Sequence, residues 1–150
     1  MKTAVLLLTF IAVAVLPIAA ACAAPPPPTP PSPPPAPISL ENTTWVLKFL
    51  GSPESPKPVL ATTEVNITFL ANGRITGKSG CNTYNGQAKI EGSSFTVTSP
   101  MASTMMACPQ PVMDQETEYL KALQAAQSFK VTGNQLKITA GKTELTFEKK

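Results

Sequence analysis

The chain has 150 residues, a net charge of +3, three cysteines and no histidine. The missing histidine excludes Ser-His-Asp and Cys-His catalysis within the chain, and with them any His-bearing zinc site. So small a charge bias, carried by scattered lysines with no basic stripe interleaved with aromatics, argues against nucleic acid as a partner.

Residues 1–21 are laid out as an export signal. Lys2 is the only charged side chain of the n-region, an apolar run covers residues 4–16, and the small residues Ala19-Ala20-Ala21 close it. That run is too short to span a bilayer comfortably. Pro17 breaks a helix where a peptidase needs extended chain. The competing reading is a retained transmembrane anchor. Cys22, directly after the small residues, resembles the bacterial lipobox, in which the cysteine is acylated and becomes the first mature residue. Ala19 stands where that box usually has leucine, so cleavage by an ordinary signal peptidase, leaving a free thiol on Cys22, is the alternative. Several acyl chains, at about 0.8 kcal/mol per buried methylene, would hold the protein durably on a membrane. In a host with two membranes, Ala23 favours sorting to the outer one.

Residues 22–40 read as the lipid-anchor cysteine and a proline-rich tether. Residues 25–37, PPPPTPPSPPPAP, cannot build a core and favour stiff polyproline II. At about 3.1 Å per residue this stretch reaches roughly 40 Å, suited to holding a domain off a membrane. Its other reading is a ligand for proline-recognising modules. Without Lys2, 11 basic residues face 9 acidic ones, leaving the mature chain at +2.

Residues 41–150 form one domain with a modest core. Short runs of alternating apolar residues predict strands over residues 44–50, 64–69, 74–77, 86–90, 94–98, 129–132, 135–138 and 144–148. Turn chemistry separates them: a proline-bearing loop at residues 51–58, the hairpin signal Ala71-Asn72-Gly73, then Gly92, Gly133-Asn134 and Gly141. Residues 112–127 break the rhythm with strong helix formers after Pro109 and Pro111 and with Asp114, Glu116 and Glu118 in the expected early turns. Met113, Leu120, Leu123 and Ala126 share one helical face. The expectation is a mostly β, α+β fold: a curled antiparallel sheet or small barrel of about eight strands, one helix inserted before the last three covering a face or mouth.

Glu116 lies on the apolar stripe and must find donors if buried. Bonding to backbone amides of the preceding loop is one role; acid or base chemistry is the other. Cys81 and Cys108 are an even pair in an exported domain, for which a disulfide is the default and a redox-active dithiol the alternative. Gly77-Lys78-Ser79 lacks the upstream glycine of a phosphate loop, position 72 being Asn72, and precedes a strand. Nothing in the spacing of Glu64, Glu91, Asp114, Glu116 and Glu118 singles out a glycosidase pair.

Three ordered motifs then carry a resemblance. Gly80-Cys81-Asn82-Thr83-Tyr84-Asn85-Gly86, Ser103-Thr104-Met105-Met106-Ala107-Cys108-Pro109 and Glu116-Thr117-Glu118-Tyr119-Leu120-Lys121-Ala122-Leu123 are similar to the GCN-x-Y-x-G, T-x-M-A-C and E-x-x-Y/F-x-x-A-L signatures of the META domain, or HslJ-like, family. Trp45 after Asn42-Thr43-Thr44 resembles that family's opening strand. The resemblance covers roughly residues 41–148. It implies a small exported or surface domain, often a lipoprotein, associated with heat-shock response, novobiocin tolerance and motility or virulence, with no established activity or ligand. Its motif cysteines fall on Cys81 and Cys108, supporting their pairing.

Read physically, Gly80 and Gly86 admit backbone that a side chain would block, Asn82 and Asn85 bond backbone in tight turns, and Tyr84 packs with its hydroxyl at a rim. The alternative is a ligand rim of Asn82, Tyr84, Ser103, Thr104 and Glu116. Met101, Met105 and Met106 are expected as adaptable core, with an apolar docking surface as the second reading and copper chelation as a remote third. No metal site or cofactor is expected. The functional expectation is a non-enzymatic envelope module, membrane-bound through Cys22, that binds an envelope protein or small apolar ligand; a secreted protease-inhibitor-like module and a thiol-disulfide protein using Cys81 and Cys108 are the alternatives.

Overall fold

The computed structural model describes residues 39–150; the export signal, Cys22 and the proline tract lie outside the described residues. Trp45 and Leu47 point inward from β1 (Thr43–Ser52), following two-residue alternation. A bulge between Leu47 and Phe49 then resets the register against the last strand, so Leu50 faces inward and Phe49 is left exposed. Burying an indole requires a partner for its N–H, and Trp45 Nε1 donates to Thr43 Oγ1 at 2.8 Å. Residues 51–58, expected as a loop, instead make a hairpin: β1 runs on to Ser52, and β2 (Ser55–Pro58) pairs back onto it. β2 lies at the end of the strand path, where Pro56 and Pro58 withhold no donor that a further strand needs.

β3 (Glu64–Phe69) and β4 (Arg74–Gly80) form a hairpin around the expected Ala71-Asn72-Gly73 turn, with Asn72 at φ 61° and Gly73 at φ 72°. β5 (Thr83–Glu91), β6 (Ser94–Val97) and the short β7 (Ala102–Ser103) follow, then α1 (Gln110–Gln124), then β8 (Ser128–Thr132), β9 (Gln135–Ala140) and β10 (Thr143–Lys149). All pairings are antiparallel along the path β10-β9-β8-β6-β5-β4-β3-β1, and β10 pairs with β1 from Trp45↔Lys149 to Gly51↔Glu144. Eight strands therefore close into a barrel, with β2 added to β1 and β7 to β5. The seam between β6 and β8 is held by one pair, Ser94↔Ser128, and the excursion carrying the helix leaves and returns there.

The helix begins two residues earlier than the expected residue 112, since Pro109 caps it and Pro111 occupies a first-turn position where a missing N–H costs nothing. Its first turn consequently holds no acid, contrary to the sequence expectation; Asp114 is already the fifth helical residue. Glu116, Tyr119, Ala122 and Leu123 are buried, and the helix touches β4, β6, β9 and β10. Those strands lie on different sides of the barrel, so α1 plugs a mouth. The interior is filled by Ile67, Phe69, Phe95, Leu136, Ile138, Leu145 and Phe147 among others, with Phe69 and Phe95 edge to face. Leu40, which the sequence reading left in the tether, is buried in this core. Among the described residues, no helix is long and apolar enough to cross a membrane.

Candidate functional site

The three sequence motifs converge at the plugged mouth. β4 ends at Gly80, whose φ of 118° is open to glycine and strained for other residues, and the chain turns through Cys81 and Asn82 into β5. Glu116 reaches this corner from the helix. Its Oε2 accepts from Ser79 Oγ at 2.7 Å, the Asn82 amide at 2.8 Å and the Cys81 amide at 3.2 Å, while Oε1 accepts from Asn82 Nδ2 at 2.7 Å. The residue is 6% exposed. Burial pushes its carboxyl pKa upward, but the bonds from Ser79, Asn82 and the two amides outweigh it and leave the group below its ordinary 4.5. Glu116 is thus an ionised structural staple between helix and corner, and the amides it binds are those of the β4–β5 turn rather than of the loop before the helix.

Asn82 passes this order outward. Its Oδ1 accepts from the Met106 amide at 2.7 Å and from Thr104 Oγ1 at 2.8 Å, and its Nδ2 also donates to the Met106 carbonyl at 3.3 Å. The Thr104 amide donates to the Thr83 carbonyl at 3.1 Å. Beyond the loop, Cys108 closes a disulfide to Cys81 across 27 positions. In the chain-entropy account, a closure of that length stabilises by roughly 3 to 4 kcal/mol. Both sulfur residues are half-buried.

Tyr84 sits deeper than its expected rim position. It is 1% exposed, and its hydroxyl bonds the Asn66 carbonyl at 3.0 Å and the Tyr119 hydroxyl at 2.7 Å, both inside the barrel. The two phenolic protons suffice for Tyr84 to donate to Asn66 and Tyr119 to donate to Tyr84. Burial drives both phenols well above the ordinary 10. β4 comes so close here that a Cβ on Gly77 would meet the Asn66 carbonyl at 2.0 Å. Tyr119 was missed by sequence reasoning, although it occupies the aromatic position of the third motif.

Of the five residues read as a ligand rim, Asn82, Tyr84 and Glu116 are therefore interior and committed to each other or to backbone, while Ser103 and Thr104 are exposed. Among the described residues, every buried side-chain nitrogen and oxygen has a partner. The methionines split. Met101 packs against the core beside Gly86, whereas Met106 is 60% and Met105 98% exposed, so these two depart from the expected core placement. At the other ends of β3, β4 and β5, a cleft of about 430 Å³ is lined by Leu40, Phe69, Ile75 and Ile90 with Arg74 and Lys89 at its edge. It is remote from the motif residues.

No curated protein matches the chain. Solved structures do. A protein from Burkholderia xenovorans, determined by NMR, superposes with a TM-score of 0.63 at 22% identity, over 84% of this chain and 98% of its own. A second NMR structure gives 0.58 at 27% identity, covering 73% and 90%. The crystal structure of a DUF4847 family protein from Bacteroides vulgatus gives 0.53 at 18% identity, covering 73% and 93%. The META domain family model matches residues 38–150, motifs and barrel included, and the chain belongs to the META domain family.

Proposed function

We propose that this chain is a non-enzymatic binding module of the bacterial cell envelope, exported by residues 1–21, anchored through acylated Cys22 and held off the membrane by its proline tract. It engages a partner through the rim at the Cys81–Cys108 disulfide and supports the envelope under heat or antibiotic stress. The observation that carries this reading is Met105, 98% exposed on a loop that Asn82 and a disulfide hold in place. A large apolar side chain presented to water from a tethered backbone fits a docking anchor. The buried polar groups beside it are spent on structure: Glu116 accepts four hydrogen bonds, from the Ser79 and Asn82 side chains and the Cys81 and Asn82 amides.

Intact mass of the protein recovered from membranes of its native host tests the anchor. Acyl groups on Cys22 and loss of membrane retention in Cys22→Ser are expected; an uncut chain in the cytosol would overturn the envelope reading. For the stress role, a deletion strain should lose survival at raised temperature or under novobiocin and regain it from the wild-type copy but not from Cys22→Ser; equal survival of all strains counts against it. The exposed loop also favours the inhibitor-like reading over thiol-disulfide chemistry.

A further inference from the structure

We propose that residues 103–107 are a protease-directed loop: the segment lies in the substrate cleft of a serine endopeptidase with a deep apolar primary pocket, Met105 filling that pocket. The inference rests on the binding-module reading and names its partner.

Endopeptidases take substrate as an added extended strand, with main-chain bonds on either side of one side chain that selects the pocket. A mobile loop that enters such a cleft is cut and released; a loop already fixed in the bound shape loses little entropy on binding and stays. Residues 103–107 have the second character. β7, ending at Ser103, leads into them from the barrel, and the Thr104 amide is tied to Thr83. Asn82 then grips both neighbours of Met105, through the Thr104 hydroxyl on one side and the amide and carbonyl of Met106 on the other. Two residues further on, Cys108 is bonded to Cys81, the residue beside Asn82. Of the two methionine side chains in this frame, Met105 is the freer, 98% exposed against 60% for Met106.

The chemistry of the loop selects the pocket. Residues 101–109, Met-Ala-Ser-Thr-Met-Met-Ala-Cys-Pro, contain no charge, which excludes enzymes that require an arginine or lysine. An unbranched, polarisable thioether suits a deep apolar slot. Hydrolysis of the Met105–Met106 bond would consume one water and leave a carboxylate on Met105 and an ammonium on Met106. Thr104 and Met106 would both still be held by Asn82, so the new ends stay in register and neither leaves the cleft.

The test uses the mature chain against chymotrypsin, subtilisin and trypsin. Submicromolar competitive inhibition of the first two and none of trypsin are expected. Met105→Asp should weaken inhibition by about 100-fold or more, and Met105→Lys should transfer it to trypsin, with unchanged circular dichroism in both, since the side chain touches nothing. Asn82→Ala should turn the chain into a substrate cut after Met105. Absence of inhibition of both enzymes, rapid cleavage of the wild type without inhibition, or inhibition indifferent to Met105→Asp would each overturn the proposal. These outcomes separate from the envelope reading: an acylated, membrane-retained chain that inhibits nothing sinks only the protease assignment, and an inhibitory chain found uncut in the cytosol sinks only the anchor.

Discussion

Asn82 Nδ2 donates to Glu116 Oε1 at 2.7 Å, and through that bond the helix that plugs the barrel is joined to the corner that holds the exposed loop. Its other side-chain contacts face the opposite way, to Thr104 and Met106. One buried asparagine thus relays the position of a helix to two residues flanking Met105.

Replacing Glu116 by Gln should lower stability by about 2 to 4 kcal/mol, because an acceptor of four charge-assisted bonds becomes a neutral amide that presents donors to donors. Urea unfolding of wild type and variant measures the difference. The same group sets an acid limit. Its folded pKa lies below the ordinary 4.5, so its contribution is fully present above that value and is lost as pH falls through the folded pKa. Glu116→Gln should flatten the acid side of the stability profile; a parallel profile would show that other carboxylates control it.

The chain has only two tyrosines, and both are buried with raised pKa values. Ultraviolet titration should therefore show no phenolate while the protein is folded, then two appearing together at alkaline unfolding. Raised folded values mean that the stabilisation is full below the ordinary 10 and falls away as pH climbs past it. Gradual titration of one tyrosine in the folded state would contradict the hydroxyl pair.

Tyr84→Phe and Tyr119→Phe should each cost about 1 kcal/mol. After either change the remaining hydroxyl lies within 3.4 Å of the Asn66 carbonyl, so that acceptor keeps a donor. The double variant removes both donors and should cost more than the two single changes together, a non-additivity of about 0.5 kcal/mol or more that a double-mutant cycle resolves.

The barrel was legible because its turns and alternation are local: Ala71-Asn72-Gly73 and the patterns of β9 and β10 need no distant partner to be read. The β1 bulge and the β2 hairpin were not, since register against β10 puts Phe49 outward and the prolines at 56 and 58 look like loop until an edge position is known. At the motif end, sequence named Asn82, Tyr84, Cys81, Cys108 and Glu116 as a group without their directions. Whether a polar residue near a barrel mouth faces ligand or backbone depends on which donors the helix brings, and the corner amides of Cys81 and Asn82 become visible only when α1 is seated. Exposure of Met105 stood second to core in the sequence for the converse reason: an apolar residue in a loop reads as core until every contact around it is placed.

Mild peroxide should oxidise Met105 and Met106 well before Met101, because the first two face water and the last packs on the core. Peptide mapping gives the order, and the melting temperature should stay unchanged through the first two oxidations. Early loss of Met101, or a fall in stability with Met105 oxidation, would contradict the assigned burial.

Backbone order parameters for residues 104–107 test the central claim, that the Glu116–Asn82 link holds the Met105 loop rigid, most directly. The account predicts values near about 0.85 in the wild type, as in the strands, falling below about 0.6 in Asn82→Ala while the rest of the barrel is unchanged. A loop already below about 0.6 in the wild type would contradict it.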